Sequence, residues 1–213
     1  GGTMTNIVSG SADTGEPDPS NNDGTATNAQ VITTVTPVAL FTGSPTNGIA
    51  PLTVTFTDNS IGMITNRSWS FGDGTTTNTS ATSIQHVYTS AGTNTVRLIV
   101  SGTAGVSTNI QPNLIVAVNP PQLLVNPGSL NFGALTFGQT NFQSFFVINT
   151  GGSLLSGTAT GTVPFTATAG SSYSVAPGGT QTVTIAFAPP AAGTFNSIVL
   201  FASDGGTSFS PVS

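Results

Sequence analysis

Glycine and proline punctuate this sequence so closely that no window sustains an apolar stripe at helical spacing among good helix formers. The 213 residues include 26 glycines and 14 prolines, and either residue weakens or breaks a helix interior. Between the breaks the pattern has period two. Leu52–Asp58 (LTVTFTD), 93–100 (TNTVRLIV), 143–149 (QSFFVIN), 181–187 (QTVTIAF) and 197–202 (SIVLFA) are rich in β-branched and aromatic residues spaced for strands with a buried face. Short strands separated by turn residues predict an all-β chain built from sandwiches.

Proline also marks the joints. Val35-Thr36-Pro37 follows a polar N-terminal stretch, and Asn119-Pro120-Pro121 separates two longer blocks with a stiff, extended connection. The expected division is an extended segment over 1–35, one sandwich over 36–118 and a second over 119–213. The first piece is too short to hold a core of its own, and Val31, Ile32 and Val35 are its largest apolar residues near the joint. It reads either as a strand awaiting a partner, with Ala29, Val31, Ile32 and Val35 as an inter-subunit pairing stretch, or as the end of a truncated domain.

Charge narrows the partners. Only 4% of residues are charged, lysine is absent, and Arg67 and Arg97 are the two basic residues. Such a chain has no basic footprint with which to neutralise phosphates, so nucleic acid is excluded as a natural partner. Four of the seven acids, Asp13, Glu16, Asp18 and Asp23, fall in the N-terminal segment, without the D-x-D-x-D-G register of a calcium loop. A surface of Thr, Ser, Asn and Gly suits an extracellular or cell-surface protein. The lack of cysteine removes disulfides and thiolate chemistry. No apolar run approaches the ~20 residues of a spanning helix, so no membrane insertion is expected. The opening Gly1-Gly2 reads as a processed or fragmentary chain.

The residues that could carry chemistry lie in one block. WSFGDG sets Asp73 between two glycines, four positions after the sole tryptophan, Trp69. A general acid needs a second titratable group and a cleft, and this block offers Asp58, Asp73 and His86. Glycines that permit positive φ around an aspartate that accepts backbone N–H bonds describe a tight turn. His86, the one histidine, lacks the companions of a zinc site, and no G-x-S-x-G elbow supplies a nucleophile. Trp69, Asp73, His86 and Tyr88 are therefore read as turn and core residues. No catalytic, metal-binding or cofactor-binding residue is expected, and an enzyme is the weakest reading. Asn66-Arg67-Ser68 and Asn78-Thr79-Ser80 are acceptor sequons for covalent glycans, although such triplets also arise by chance in Thr-rich chains.

PLTVTFTDNS, WSFGDG and IQHVYTSAGTNTVRLIV, in that order, resemble the PKD domain, an Ig-like sandwich of bacterial surface and secreted proteins. The resemblance implies that Trp69 fills the sandwich centre, that Gly72-Asp73-Gly74 turns the chain, and that His86 and Tyr88 form the family's His-x-Tyr pair. In the last block SLNFGALTFGQT, FFVINTGGSLL, YSVAPGGTQTVTIAFAPPAAGTF and LFASDGG together resemble the Hydin-like Ig domains, including the choice-of-anchor D repeats of bacteria. There Asn149-Thr150-Gly151 and Pro177-Gly178-Gly179 read as hairpin connections, and Phe132, Phe145, Val147, Val183, Ile185, Phe187, Val199 and Phe201 as core. The stretch SADTGEPDPSNNDGTATNAQVITTV looks like the closing strands of another bacterial surface repeat.

Two functional readings follow. One is a structural subunit of an extracellular fibre or stalk, a noncovalent polymer of copies of itself, with strand addition by the N-terminal segment. The other is an adhesin or carbohydrate-binding accessory module of a larger secreted protein. Because Trp69 and most phenylalanines alternate as core, little aromatic surface is expected for a glycan, which favours the first.

Overall fold

The computed structural model describes residues 5–7, 30–32 and 35–213. The chain divides into two compact units, Gly1–Ala117 and Val118–Ser213. Every regular element among the described residues is a strand, so none of them is a helix long and apolar enough to cross a membrane. Near the N-terminus β1 (Thr5–Ile7) and β2 (Gln30–Ile32) pair antiparallel as a two-stranded sheet, with Asn6 opposite Val31. Val31 and Ile32 of the expected pairing stretch thus have a partner strand within the chain. Ala29, the four N-terminal acids and most of the surface-repeat resemblance lie outside the described residues, while Val35 is exposed.

The first sandwich sets β3 (Phe41–Ser44), β5 (Leu52–Asp58) and β8 (Ser83–Tyr88), in the order β3-β5-β8, against a five-stranded sheet. That second sheet runs β4 (Asn47–Ile49), β10 (Gly105–Val118), β9 (Gly92–Gly102), β6 (Asn66–Ser70) and β7 (Thr76–Thr79). Period two decides what each strand buries: Leu52, Val54 and Phe56 point inward from β5, and Val96, Leu98 and Val100 from β9. Trp69 lies at the centre, edge-on to Phe41 at 5.1 Å and tilted against Phe56 at 5.6 Å. Each buried side chain of this size contributes about 1.5–3 kcal/mol through removal from water. Pro112 cannot donate to a ladder, and the β9–β10 pairing slips between Gln111 and Ile115, with Asn113 at φ 54°.

The second sandwich is two four-stranded sheets. One runs β11 (Leu123–Asn126), β12 (Asn141–Asn149), β16 (Thr180–Phe187), β14 (Phe165–Ala169); the other runs β15 (Ser172–Val175), β13 (Leu155–Thr160), β17 (Ser197–Ser203), β18 (Gly206–Val212). The eight core positions expected here are all buried, joined by Leu155, Phe165 and Tyr173. Phe165 stacks on Phe187 at 4.5 Å, and Phe145 meets Phe201 edge-on at 5.3 Å.

Neither Asn149-Thr150-Gly151 nor Pro177-Gly178-Gly179 is the hairpin connection expected: β12 and β13, like β15 and β16, lie in different sheets, so both turns carry the chain across the sandwich. Asn149, the first residue of Asn149-Thr150-Gly151, is wholly buried. Its Nδ2 donates to the carbonyls of Ser153 (2.7 Å) and Val175 (2.9 Å), and its Oδ1 accepts from the amides of Gly151 (2.9 Å) and Gln122 (3.3 Å). A single amide therefore gathers the start of the domain, the turn after β12 and the end of β15.

Candidate functional site

Apart from Arg97, the titratable groups of the first sandwich fall into two clusters. β6 delivers Trp69 to the core, Phe71 follows it inward, and the chain then reverses through Gly72 (φ +90°) and Gly74 (φ +92°). A Cβ at Gly72 would also stand 2.6 Å from the Thr95 carbonyl oxygen, so glycine is required there on two counts. The reversal is held by Asp73, whose Oδ1 accepts from the Thr75 amide (3.1 Å) and hydroxyl (2.6 Å). Its Oδ2 accepts from His86 Nε2 on β8 at 2.6 Å. The His86 ring lies flat on Phe71 (4.1 Å, 4°) and edge-on to Tyr88 (4.7 Å, 90°), while the Tyr88 hydroxyl donates to the Phe71 carbonyl at 2.9 Å.

Electrostatics follows from this packing. Partial burial works against ionisation of Asp73, but the hydrogen bonds from Thr75 and His86 outweigh it and hold the carboxyl below its usual range. Burial, helped by the Asp73 carboxylate, pushes the Tyr88 phenol up. A catalytic relay would need the acid on one imidazole nitrogen and a nucleophile on the other. Here the Asp73 carboxylate and the Thr75 hydroxyl (3.4 Å) both address Nε2, and that hydroxyl donates to Asp73. The cluster ties a turn to a neighbouring strand.

The second cluster was not paired by sequence reasoning. Arg67 faces the core beside Trp69, and its Nε donates to Asp58 Oδ2 at the end of β5. An Arg67 terminal nitrogen donates to the Ser80 carbonyl at 3.0 Å, and the Ser60 amide donates to Asp58 Oδ1 at 2.9 Å. Burial opposes ionisation of Asp58, but Ser60 and the guanidinium prevail, so its carboxyl too sits below the usual range. The signal was parity: in NRSWS, Arg67 has the same facing as Trp69.

Outward positions complete the inventory. Asn66 and Asn78 are exposed, and both lie on the solvent face of the five-stranded sheet, since Asn78 stands opposite Ser68. In the second sandwich Tyr173 is buried, but Phe137, Phe142, Phe146 and Phe209 are exposed, which corrects the expectation of little aromatic surface. The cause is again parity: Phe145 and Phe146 are adjacent on β12, and a strand cannot turn both inward. Asp204, the only charged residue after Arg97, accepts the Ser156 amide at 2.9 Å. Among the described residues no three His, Asp or Glu side chains gather as a metal site would require.

No curated protein matches the chain. Similar solved structures include carbohydrate-binding modules of the β-sandwich superfamily, at 22% identity over 79% of this chain and 59% of that one, TM-score 0.42. The Yersinia pseudotuberculosis adhesin InvE is 15% identical over 82% and 58%, TM-score 0.33. A Methanosarcina mazei protein solved by NMR is 30% identical over 51% and 74%, TM-score 0.31. The chain spans less than two thirds of the first two of these structures. Residues 34–117 match the PKD domain family, and residues 121–211 match the HYDIN/CFA65/VesB-like Ig-like domain family. The chain thus contains a PKD domain over residues 34–117, followed by a HYDIN/VesB-like Ig-like domain over residues 121–211.

Proposed function

We propose that this chain is a structural subunit of an extracellular fibre or cell-surface stalk, in which sandwich domains are strung together and copies associate without covalent links. The observation that carries this reading is where the ionisable groups are engaged. Asp58 with Arg67, Asp73 with His86, and Asp204 with the Ser156 amide all hold the fold itself. Of the charged side chains among the described residues, Arg97 alone has no such internal partner. Groups that fasten turns and strands are not free for substrate chemistry. Isopeptide links would need lysine and disulfides cysteine, and the sequence has neither. Residues 25–35 are proposed to pair with a sheet edge of the next copy, a head-to-tail contact that need not close into a ring.

A second reading, an adhesin or carbohydrate-binding accessory module, draws on Phe142 and Phe146, which stand exposed on one hydroxyl-rich face. Negative-stain electron microscopy of native material separates the two: filaments support the subunit, dispersed particles the module. Deleting residues 1–35 tests the strand-addition contact, since undiminished fibres from the shortened chain would exclude it.

A further inference from the structure

The second sandwich has solvent faces of an unusual kind. On the β11-β12-β16-β14 sheet, Leu124 stands opposite Ile148 and Phe146 opposite Thr182, both pairs pointing away from the core, and Phe142 projects from the same face. Leu124, Phe142 and Phe146 are 48%, 58% and 42% exposed. On the opposite sheet Ile198 stands opposite Pro211 and Leu200 opposite Phe209, with Ile198 and Phe209 50% and 66% exposed. Thr182, Thr184, Thr160 and Thr207 fill the places between. The solvent face of a two-sheet sandwich ordinarily alternates to charged and polar residues. Here Asp204 is the unit's only charge, and it sits in the turn between β17 and β18, bonded to the Ser156 amide.

We infer that the two outward sheet faces of the second sandwich are covered by the corresponding faces of other copies of this chain. The inference rests on the fibre reading above and names a contact for it. Three observations select a second copy as the occupant. The first is charge: a partner with ordinary charged surface would have to strip water from its ions against hydroxyls and alkyl groups that cannot pair them. The faces of this sandwich carry no such ions, so each is a neutral match for the other. The second is side-chain shape. A glycan stacks on flat rings, and although Phe142, Phe146 and Phe209 offer such rings, Leu124, Ile148, Ile198 and Leu200 beside them offer none, whereas interdigitating aliphatic and aromatic side chains together are how sheets pack face to face.

The third is area. Strands about 4.8 Å apart, rising about 3.3 Å per residue, give each four-stranded face roughly 20 by 25 Å, or roughly 500 Å². Two such faces in contact remove about 1,000 Å² from water, the lower bound for a specific interface. One contact of that size is weak. Because the faces lie on opposite sides of a single sandwich, each copy makes two contacts, and association propagates where a one-faced dimer would stop.

The test uses the full chain and three single-face variants: Phe146→Lys on one sheet, Phe209→Lys on the other, and Thr182→Lys, which leaves every phenylalanine in place. Sedimentation velocity across a wide concentration series, with negative-stain microscopy of the same samples, reads association. Near-UV circular dichroism establishes that each variant is folded. The expected result is that the wild-type chain associates and each variant requires at least a tenfold higher concentration, because a lysine would be buried unpaired in the contact. Should Phe146→Lys fail to fold, Thr182→Lys decides for that face. Wild-type fibres matched by all variants at equal concentration would overturn the face contact and leave the fibre reading standing. Association lost in the variants without any filaments would uphold the face contact and overturn the fibre reading. A wild-type chain that stays monomeric throughout overturns both. Dispersal of the wild-type assemblies by neutral β-glucan oligosaccharides would replace the second copy with a glycan as the occupant.

Discussion

The side-chain amide of Asn149 donates to the main-chain carbonyl of Val175 at 2.9 Å from a site with no solvent exposure, fixing the end of β15 to the end of β12. With the bonds to Ser153, Gly151 and Gln122, the side chain completes four hydrogen bonds to backbone groups. Asn149→Ala would leave backbone donors and acceptors buried without partners, at about 1–3 kcal/mol for each that water cannot reach. The expected loss is at least ~3 kcal/mol from the second sandwich. Denaturant unfolding followed by circular dichroism should show this. Tryptophan fluorescence, which reports Trp69 and hence the first sandwich, should keep its midpoint.

Arg67→Met is expected to destabilise the first sandwich by about 3–5 kcal/mol, the usual cost of leaving one member of a buried ion pair alone. Replacing Asp58 by Leu in the same chain should recover part of that loss, since the stranded carboxylate is then gone. The fluorescence midpoint of Trp69 in urea measures both. No recovery in the double variant would mean that Arg67 acts through its bond to the Ser80 carbonyl instead.

The two sandwiches should respond differently to acid. Asp58 and Asp73 have folded-state carboxyls below their unfolded value of 3.8. Their unfolded forms bind protons first as the pH falls, so their stabilisation is present above that value and is lost as the pH drops through the lower folded values. Calorimetry between about pH 5 and pH 2 should show the first sandwich losing stability progressively. Asp73→Asn combined with Asp58→Asn should flatten that dependence.

Gly151 and Gly178 separate two reasons for glycine. A Cβ at Gly151 would lie 2.2 Å from the Pro120 carbonyl oxygen and 2.6 Å from the Gln122 nitrogen, both backbone atoms with little room to give. Gly178 has open space around it but a φ of +71°. Gly178→Ala should cost about 1 kcal/mol from the conformation alone. Gly151→Ala should cost more than ~2 kcal/mol and shift the amide signals of Pro120's neighbours in NMR spectra.

Asn66 and Asn78, exposed on one sheet face, are the expected attachment points if the native material carries glycans. Intact mass of natively purified chain should exceed that of the bare polypeptide, and Asn66→Gln with Asn78→Gln should abolish the difference. A native mass equal to the bare chain removes both sites.

The strands were legible because period two is a local property: the alternation in LTVTFTD or QTVTIAF states both the element and its buried face. The sequence also sets Asp73 in a turn, because the glycines beside it are adjacent in the chain. What it could not name were partners far along the chain. Asp73 meets His86, Asp58 meets Arg67 and Asn149 reaches Val175 only when the sheets fold against one another, and Asn149 reaches Gln122 only when β11 pairs with β12. The outward phenylalanines were obscured for a different reason. Hydrophobicity alone assigns Phe146 to a core, and only the facing of its neighbour Phe145 shows that it stands outside.

Arg67 and Arg97 are also the two places at which a trypsin-like protease could cut this chain. Such an enzyme must first draw its substrate out as a free extended segment, but β6 and β9 are hydrogen-bonded on both sides within their sheet, and the Arg67 side chain is buried. Scission at either residue therefore waits on opening of the sheet that contains it. Beyond Arg97 the sequence offers no basic residue at all, so the whole second sandwich remains indigestible to that class of enzyme even when unfolded.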